Sequence, residues 1–384
     1  MANITVVGGG LAGLVASITC AEGGADVELF EAHRALGGRA RSSEGQFIAN
    51  FGPHVIYDDG PLWAWLAERK LVGDDARNPI GGIRFRHRGK LRRTPPAVMI
   101  KALPVLRHEA PVDLSFREWV AAQHGDAAAD VLSKFAGVFS FDADPGRLSA
   151  AFVRDRLVRV VKAGPARAVR YVTGGWGALA GRLEARARSL GVGIHTGTAV
   201  DDLPAPPVIV ATEVRAASKL LGEELAVEGA RTALLDVGLE RRRGDAFAIS
   251  DLDEAGWAER FTEPDPSLAP VGHSLLQAQI GLRPAESLDE GVARIERMLD
   301  LGYAGWRERE VWRRRQVIDG RSGALDLPGT TWRDRPAIDR GDGVFLAGDM
   351  VAAPGLLGEV AWASGVEAAR GALAAVGVGA ASPV

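Results

Sequence analysis

The spacing of apolar and polar residues changes several times along this chain, and each change marks an element. Residues 4–7 are a short apolar run, as in a buried strand, and residues 11–23 mix small and apolar residues, as in a packed helix. Residues 25–30 read as a second strand ending on Glu31. Near the other end, 343–347 read as another buried strand, followed by a Pro/Gly connection and a long Ala-rich helix from Gly358. Between these, helices are expected at 115–123, 126–139, 180–190 and 288–301. Strands are expected at 193–198, 208–211, 232–239 and 274–280. The strand–helix–strand opening makes this an α/β chain.

Gly8, Gly10 and Gly13 form a G-x-G-x-x-G turn between the first strand and helix, and Glu31 closes the following strand. Gly8 permits the tight turn, Gly10 lets backbone approach a pyrophosphate, and Gly13 lets helix and strand pack closely. The helix start at Leu11 and Ala12 offers N–H groups and a positive dipole end to phosphate. Glu31 can accept hydrogen bonds from ribose hydroxyls. With 48 glycines in the chain the motif alone is weak. Strand, turn, helix, strand and acid together read as a dinucleotide site.

A second glycine pair, Gly37-Gly38, and Arg39 follow at once. A nicotinamide site has no need of them. A longer cofactor does, because its pyrophosphate and ribityl chain pass close to backbone, and a guanidinium pairs bidentately with phosphate. Downstream, Gly348-Asp349 ends the late strand and Gly358-Glu359-Val360 opens the last helix. Asp349 would accept bonds from ribityl hydroxyls, and N–H groups near Val360 would face a flavin pyrimidine edge. On residues 4–54 and 343–370 the chain resembles the FAD-dependent flavin amine oxidoreductases, in particular their protoporphyrinogen-oxidase and phytoene-desaturase-like branch.

The resemblance implies a discontinuous Rossmann-like FAD-binding domain from residues 1–60, 168–215 and 325–375. A mixed sheet-and-helix substrate domain is implied for 61–167 and 216–324, its first insertion mainly helical. It sets Gly52, Pro53 and His54 beside the isoalloxazine, and Val200 against the adenine. His54 and Trp362 are the catalytic candidates, the first as acid or base and the second as a pocket wall; a structural histidine and simple packing are the plain alternatives. His273, Gln277 and Gln279 could reach substrate, although a surface or core role fits them better. Trp306 and Trp312 lie among charged residues and are expected to be partly exposed. The Gly174-Gly175 turn is read as part of the FAD domain rather than as a second nucleotide site. Residues 232–239 contain no lysine, whereas many amine oxidases of the family place one near flavin N5, and no paired-tyrosine cage is available. Both departures tilt toward chemistry on carbon.

Composition narrows the rest. A net charge of −3 gives no reason to expect nucleic acid, and forty arginines against six lysines look like genome bias rather than a binding patch. The single Cys20 cannot form an internal disulfide and reads as core packing, so a reducing cytoplasm is expected and FAD should be held non-covalently. No leader is expected ahead of the first strand, no run is long enough to span a membrane, and no metal site stands out. Residues 90–107 mix basic and apolar positions and are a candidate for peripheral membrane contact; a cap with its apolar side inward is the preferred alternative. The expected function is an FAD-dependent dehydrogenase, desaturase or oxidase acting on a hydrophobic small molecule, with O₂ or a quinone as electron acceptor. The alternatives are a flavin amine oxidase, a redox-neutral flavin isomerase and, least favoured, a non-catalytic prenyl-protein binder.

Overall fold

Five parallel strands form the layer to which the glycine turn belongs. Their order is Val344–Leu346, Val208–Val210, Asn3–Val7, Asp26–Glu31 and Gly193–Thr196. The computed structural model describes residues 3–377 apart from 53, 54, 75, 78, 80 and 167, and only the backbone of 163–166. Val208, Ile209 and Val210 are all fully buried although successive side chains point to opposite faces, so both faces of this sheet are covered. That explains the continuous apolar runs in the sequence. Helix Leu11–Glu22 packs against Gly358–Ala375 and Trp176–Ser189. The first of these crossings is close because Gly365 faces Ala12, whose carbonyl oxygen is 2.6 Å from where a Cβ would stand.

A second sheet has seven strands in the order Glu310–Ala324, Gly229–Glu240, His273–Gly281, Trp257–Arg260, Ala248–Asp251, Ile83–His87 and Lys90–Arg92. Its neighbours pair antiparallel except for Ile83–His87, which runs parallel to Ala248–Asp251. Helix Leu288–Gly302 packs on this sheet through Ile295 and Met298, and a Ser287–Glu290 capping box fixes its start.

The first insertion is mainly helical, as expected, but it also carries a hairpin that the sequence reading did not foresee. It supplies helices Phe116–His124, Asp126–Phe135 and Ala150–Ala166, and residues 83–92 form the hairpin, which extends the second sheet. The reason lies in the alternation Ile83-Arg84-Phe85-Arg86-His87, a strand period that the density of arginine obscures. Arg86 then pairs with buried Asp251 at 2.7 Å. Beyond the hairpin, helix Ala97–Ala102 buries Met99 and Ala102, and Val105 and Leu106 follow them inward. Ile100 stays half exposed. Among the described residues no helix is long and apolar enough to cross a membrane.

Trp306 corrects an expectation. It is buried, at 1% exposure, with its indole N–H donating to Asp300 at 2.9 Å. The guanidinium groups of Arg307 and Arg313 lie over the ring. The charged residues around it in sequence are its cover, not a sign of exposure. Trp312 is half-buried and stacks on Phe47.

Candidate dinucleotide and active site

The three motif glycines meet three different constraints. Gly8 has φ +106°, a conformation that side chains disfavour. A Cβ on Gly13 would stand 1.9 Å from the Gly8 carbonyl oxygen, so only glycine lets the helix approach the turn. Gly10 differs: a Cβ there would meet nothing within 4 Å. It is the N-cap of Leu11–Glu22, and no side chain caps that helix. The first N–H groups of a helix lack intrahelical partners. The space beside Gly10 is open, as an anion site at a helix start requires.

Glu31 ends its strand beside this turn. One carboxylate oxygen accepts from the Gly9 N–H at 2.7 Å, and the other from the His33 N–H at 2.8 Å. The acid therefore braces the turn as well as facing the crevice. A carboxylate oxygen accepts more than one bond, so a ribose hydroxyl can still be received. Val200 lies in the loop beyond Gly193–Thr196, a strand two residues shorter than expected. The Thr198 N–H, close by, donates to the Glu31 carbonyl at 2.9 Å.

The second glycine pair packs on the first turn. Gly37 donates to the Gly9 carbonyl at 2.7 Å, and a Cβ on Gly38 would lie 3.3 Å from the Gly10 Cα. Arg39 then reaches across the crevice, donating to Asp349 at 2.6 Å and to the Arg321 carbonyl. Two residues assigned to different parts of one cofactor thus face each other across the site. Gly348 is tied to the last helix by its N–H, which donates to Ser364 Oγ at 2.9 Å.

Gly358–Ala375 begins from Leu357, a non-glycine residue at φ +54°, a conformation of the kind that clusters where a backbone is held for a purpose. Buried Glu359 clamps the approach: it accepts from the Leu356 N–H at 3.1 Å and from Arg159 Nη2 at 2.7 Å. The Val360 N–H is not open as expected but donates to the Leu357 carbonyl at 3.2 Å, because the chain turns tightly into the helix. Val360, Leu357 and Asp349 share a narrow cleft of about 30 Å³ with Phe139, Phe152 and Arg156 from the helical insertion. A ligand there must part the cleft walls.

The catalytic candidates fare differently. His54 and Pro53 lie outside the described residues. Gly52 is buried. Trp362 packs against the core of the parallel layer and does not line the cleft; its indole N–H is buried without a partner. His273 meets Phe47 edge-on, and Gln279 donates to the Val138 carbonyl.

Gln277 belongs to a network that sequence reasoning missed. It donates to Asp236 at 2.8 Å and to the Asn50 carbonyl at 2.9 Å, while Arg314 donates to Asp236 at 2.7 Å and lies over the Phe51 ring. Burial pushes the Asp236 carboxyl up, and Arg314 opposes that shift. The network fastens Asn50 and Phe51, just before Gly52, to the second sheet. An acid on an inward-facing strand position was the only sequence signal for it. Among the described residues no group of three or more His, Cys, Asp or Glu side chains could hold a metal ion.

A family model described as an NAD(P)-binding Rossmann-like domain matches residues 6–69. No curated protein matches the chain in sequence. Solved structures do match in fold. An oxidoreductase from Methanosarcina mazei superposes with a TM-score of 0.78 at 18% identity, over 95% of this chain and 99% of that one. Reduced UDP-galactopyranose mutase gives 0.73 at 15% identity, over 98% and 96%. Cyclohexylamine oxidase from Brevibacterium oxydans gives 0.73 at 13% identity, over 98% of both chains. The chain therefore shares the fold of these proteins, a parallel Rossmann-like sheet beside a second, mixed sheet.

Proposed function

We propose, from that shared fold, that the protein binds FAD non-covalently and oxidises a hydrophobic small molecule at a C–H bond. One observation carries the reading: the open helix start at Gly10, Glu31, the Gly37-Gly38 turn and Asp349 line one crevice at the carboxyl ends of the parallel strands. The uncapped start of Leu11–Glu22 would hold the pyrophosphate, Glu31 a ribose, and Asp349 the ribityl hydroxyls. Bound there, FAD supplies a two-electron acceptor for a hydride equivalent. The protein's own task is to orient the substrate and keep water out. The Glu359–Arg159 clamp holds Leu357 and Val360 in place, and Phe139 and Phe152 give the cleft an apolar wall.

Strand Gly229–Glu240 presents Asp236, paired with Arg314, and has no lysine between 232 and 239. That favours oxidation at carbon over a standard amine oxidase. The likeness to UDP-galactopyranose mutase favours a second reading, redox-neutral chemistry on the reduced cofactor. O₂ or a quinone is the proposed electron acceptor in the first reading.

The test is the visible absorption spectrum of the purified protein, with the supernatant assayed for FAD after heat denaturation. Two flavin bands and stoichiometric free FAD are expected. A colourless protein that takes up no added FAD would refute the assignment. Anaerobic bleaching by substrate separates the two readings, because only net oxidation bleaches the flavin.

A further inference from the structure

We propose that Arg156 is the anion-recognition group of this cleft and that the substrate carries a carboxylate placed against it, an inference that rests on the flavin-oxidoreductase reading of the same site. Arg156 lies one turn after Phe152 on helix Ala150–Ala166. Its guanidinium carbon is 3.6 Å from the Phe152 ring centroid, and Nη1 donates to the Phe152 carbonyl at 3.2 Å. Stacking and that single bond leave most of its donors unused.

The other charges of the cleft are already matched. Arg335 donates twice to Asp326 Oδ1, at 3.0 and 2.7 Å, and Asp349 receives Arg39. Among the described residues no carboxylate stands within ion-pair distance of Arg156. Burial pushes this guanidinium down to about 10, and the neighbouring Arg335 charge adds to the effect. Asp326 and Asp155 oppose that shift from beyond ion-pair distance, and the group remains protonated at neutral pH, a half-buried cation with no carboxylate bonded to it. Such a group is costly until an anion joins it, and a planar guanidinium is shaped to receive a carboxylate on two parallel bonds. Phe139, Phe152 and Leu325 surround it with apolar surface. An acid with an aromatic or aliphatic body is the ligand class that satisfies both.

Benzoate and its uncharged isostere benzamide serve as probes. Each is titrated calorimetrically into the wild-type protein and into Arg156→Gln and Arg156→Lys, with flavin content and thermal midpoint measured on the same samples. Wild type should bind benzoate at least about tenfold more tightly than benzamide. Arg156→Gln should lose that preference and Arg156→Lys keep part of it, with flavin content unchanged. A wild type that does not prefer benzoate, or an Arg156→Gln protein that still does, overturns the proposal. Loss of flavin from Arg156→Gln with benzoate binding intact would assign the arginine to the cofactor instead. A wild type without flavin would sink the broader functional reading, while the benzoate titration would still decide the role of Arg156.

Discussion

Glu31 accepts a hydrogen bond from the Gly9 backbone at 2.7 Å across 22 residues of sequence. The acid expected to greet a ribose is thus also a strut of the turn that faces the phosphates. Glu31→Ala should leave the buried Gly9 N–H unpaired, at a cost of about 1–3 kcal/mol. Glu31→Gln keeps one acceptor and should cost less. Thermal unfolding of the two variants checks the order, and an alanine variant that melts with wild type would remove the bracing role.

Gly10 and Gly13 should separate binding from folding. Gly10 has φ −73° and open space at its Cβ position, so Gly10→Ala should cost at most the ~1 kcal/mol of a poorer N-cap while its flavin occupancy falls sharply. Gly13→Ala drives a methyl into the Gly8 carbonyl and should destabilise the protein by about 1–3 kcal/mol. Melting curves and flavin-to-protein ratios measured together test both. Equal flavin loss at equal stability in the two variants would contradict the geometry.

Glu259 gives a pH signature. It is buried, with Tyr171 and the Trp257 indole N–H donating to its two oxygens. Burial pushes its carboxyl above the ordinary 4.5, and those two bonds oppose the shift. The folded state therefore favours the neutral form. The stability this contributes is full below the ordinary carboxylate range and is lost as pH rises through the raised folded value. Glu259→Gln keeps the shape and cannot ionise, so over that window its urea midpoint should fall less than that of wild type. Parallel pH profiles would show that Glu259 does not titrate there.

Cys20 is fully buried in helix Leu11–Glu22, and burial pushes its thiol up to about 12. A neutral, enclosed thiol is a poor nucleophile. Iodoacetamide at mildly alkaline pH should label none of the native protein and one site per chain in guanidinium chloride. Rapid native labelling would mean that this helix opens readily.

Features that constrain the backbone could be read from the sequence, while those made by partners could not. Gly8 and Gly13 announce a turn because a side chain fits neither position, and the parallel strands show as apolar runs because both faces are covered. Trp306 was misplaced because a one-dimensional reading cannot tell cations that cover a ring from cations that mark solvent. The 83–92 hairpin was hidden by its arginines, whose partner Asp251 lies 165 residues away from Arg86. Arg156 gave no signal at all, since its meaning comes from the carboxylates that its neighbours take and it does not.

The order of the parallel strands also sets a timetable for synthesis. Asn3–Val7 can meet Asp26–Glu31 as soon as both leave the ribosome. Its other neighbour, Val208–Val210, comes roughly two hundred residues later, and the outer strand Val344–Leu346 and the helix Gly358–Ala375 come last. At ~5–20 residues per second the apolar flank of the first unit stays uncovered for roughly 20–70 s. A nascent chain stalled anywhere before residue 344 would display a sticky half-sheet. The quality of this protein in a cell should therefore depend on how quickly the segment that carries Val344–Leu346 and Gly358–Ala375 is made.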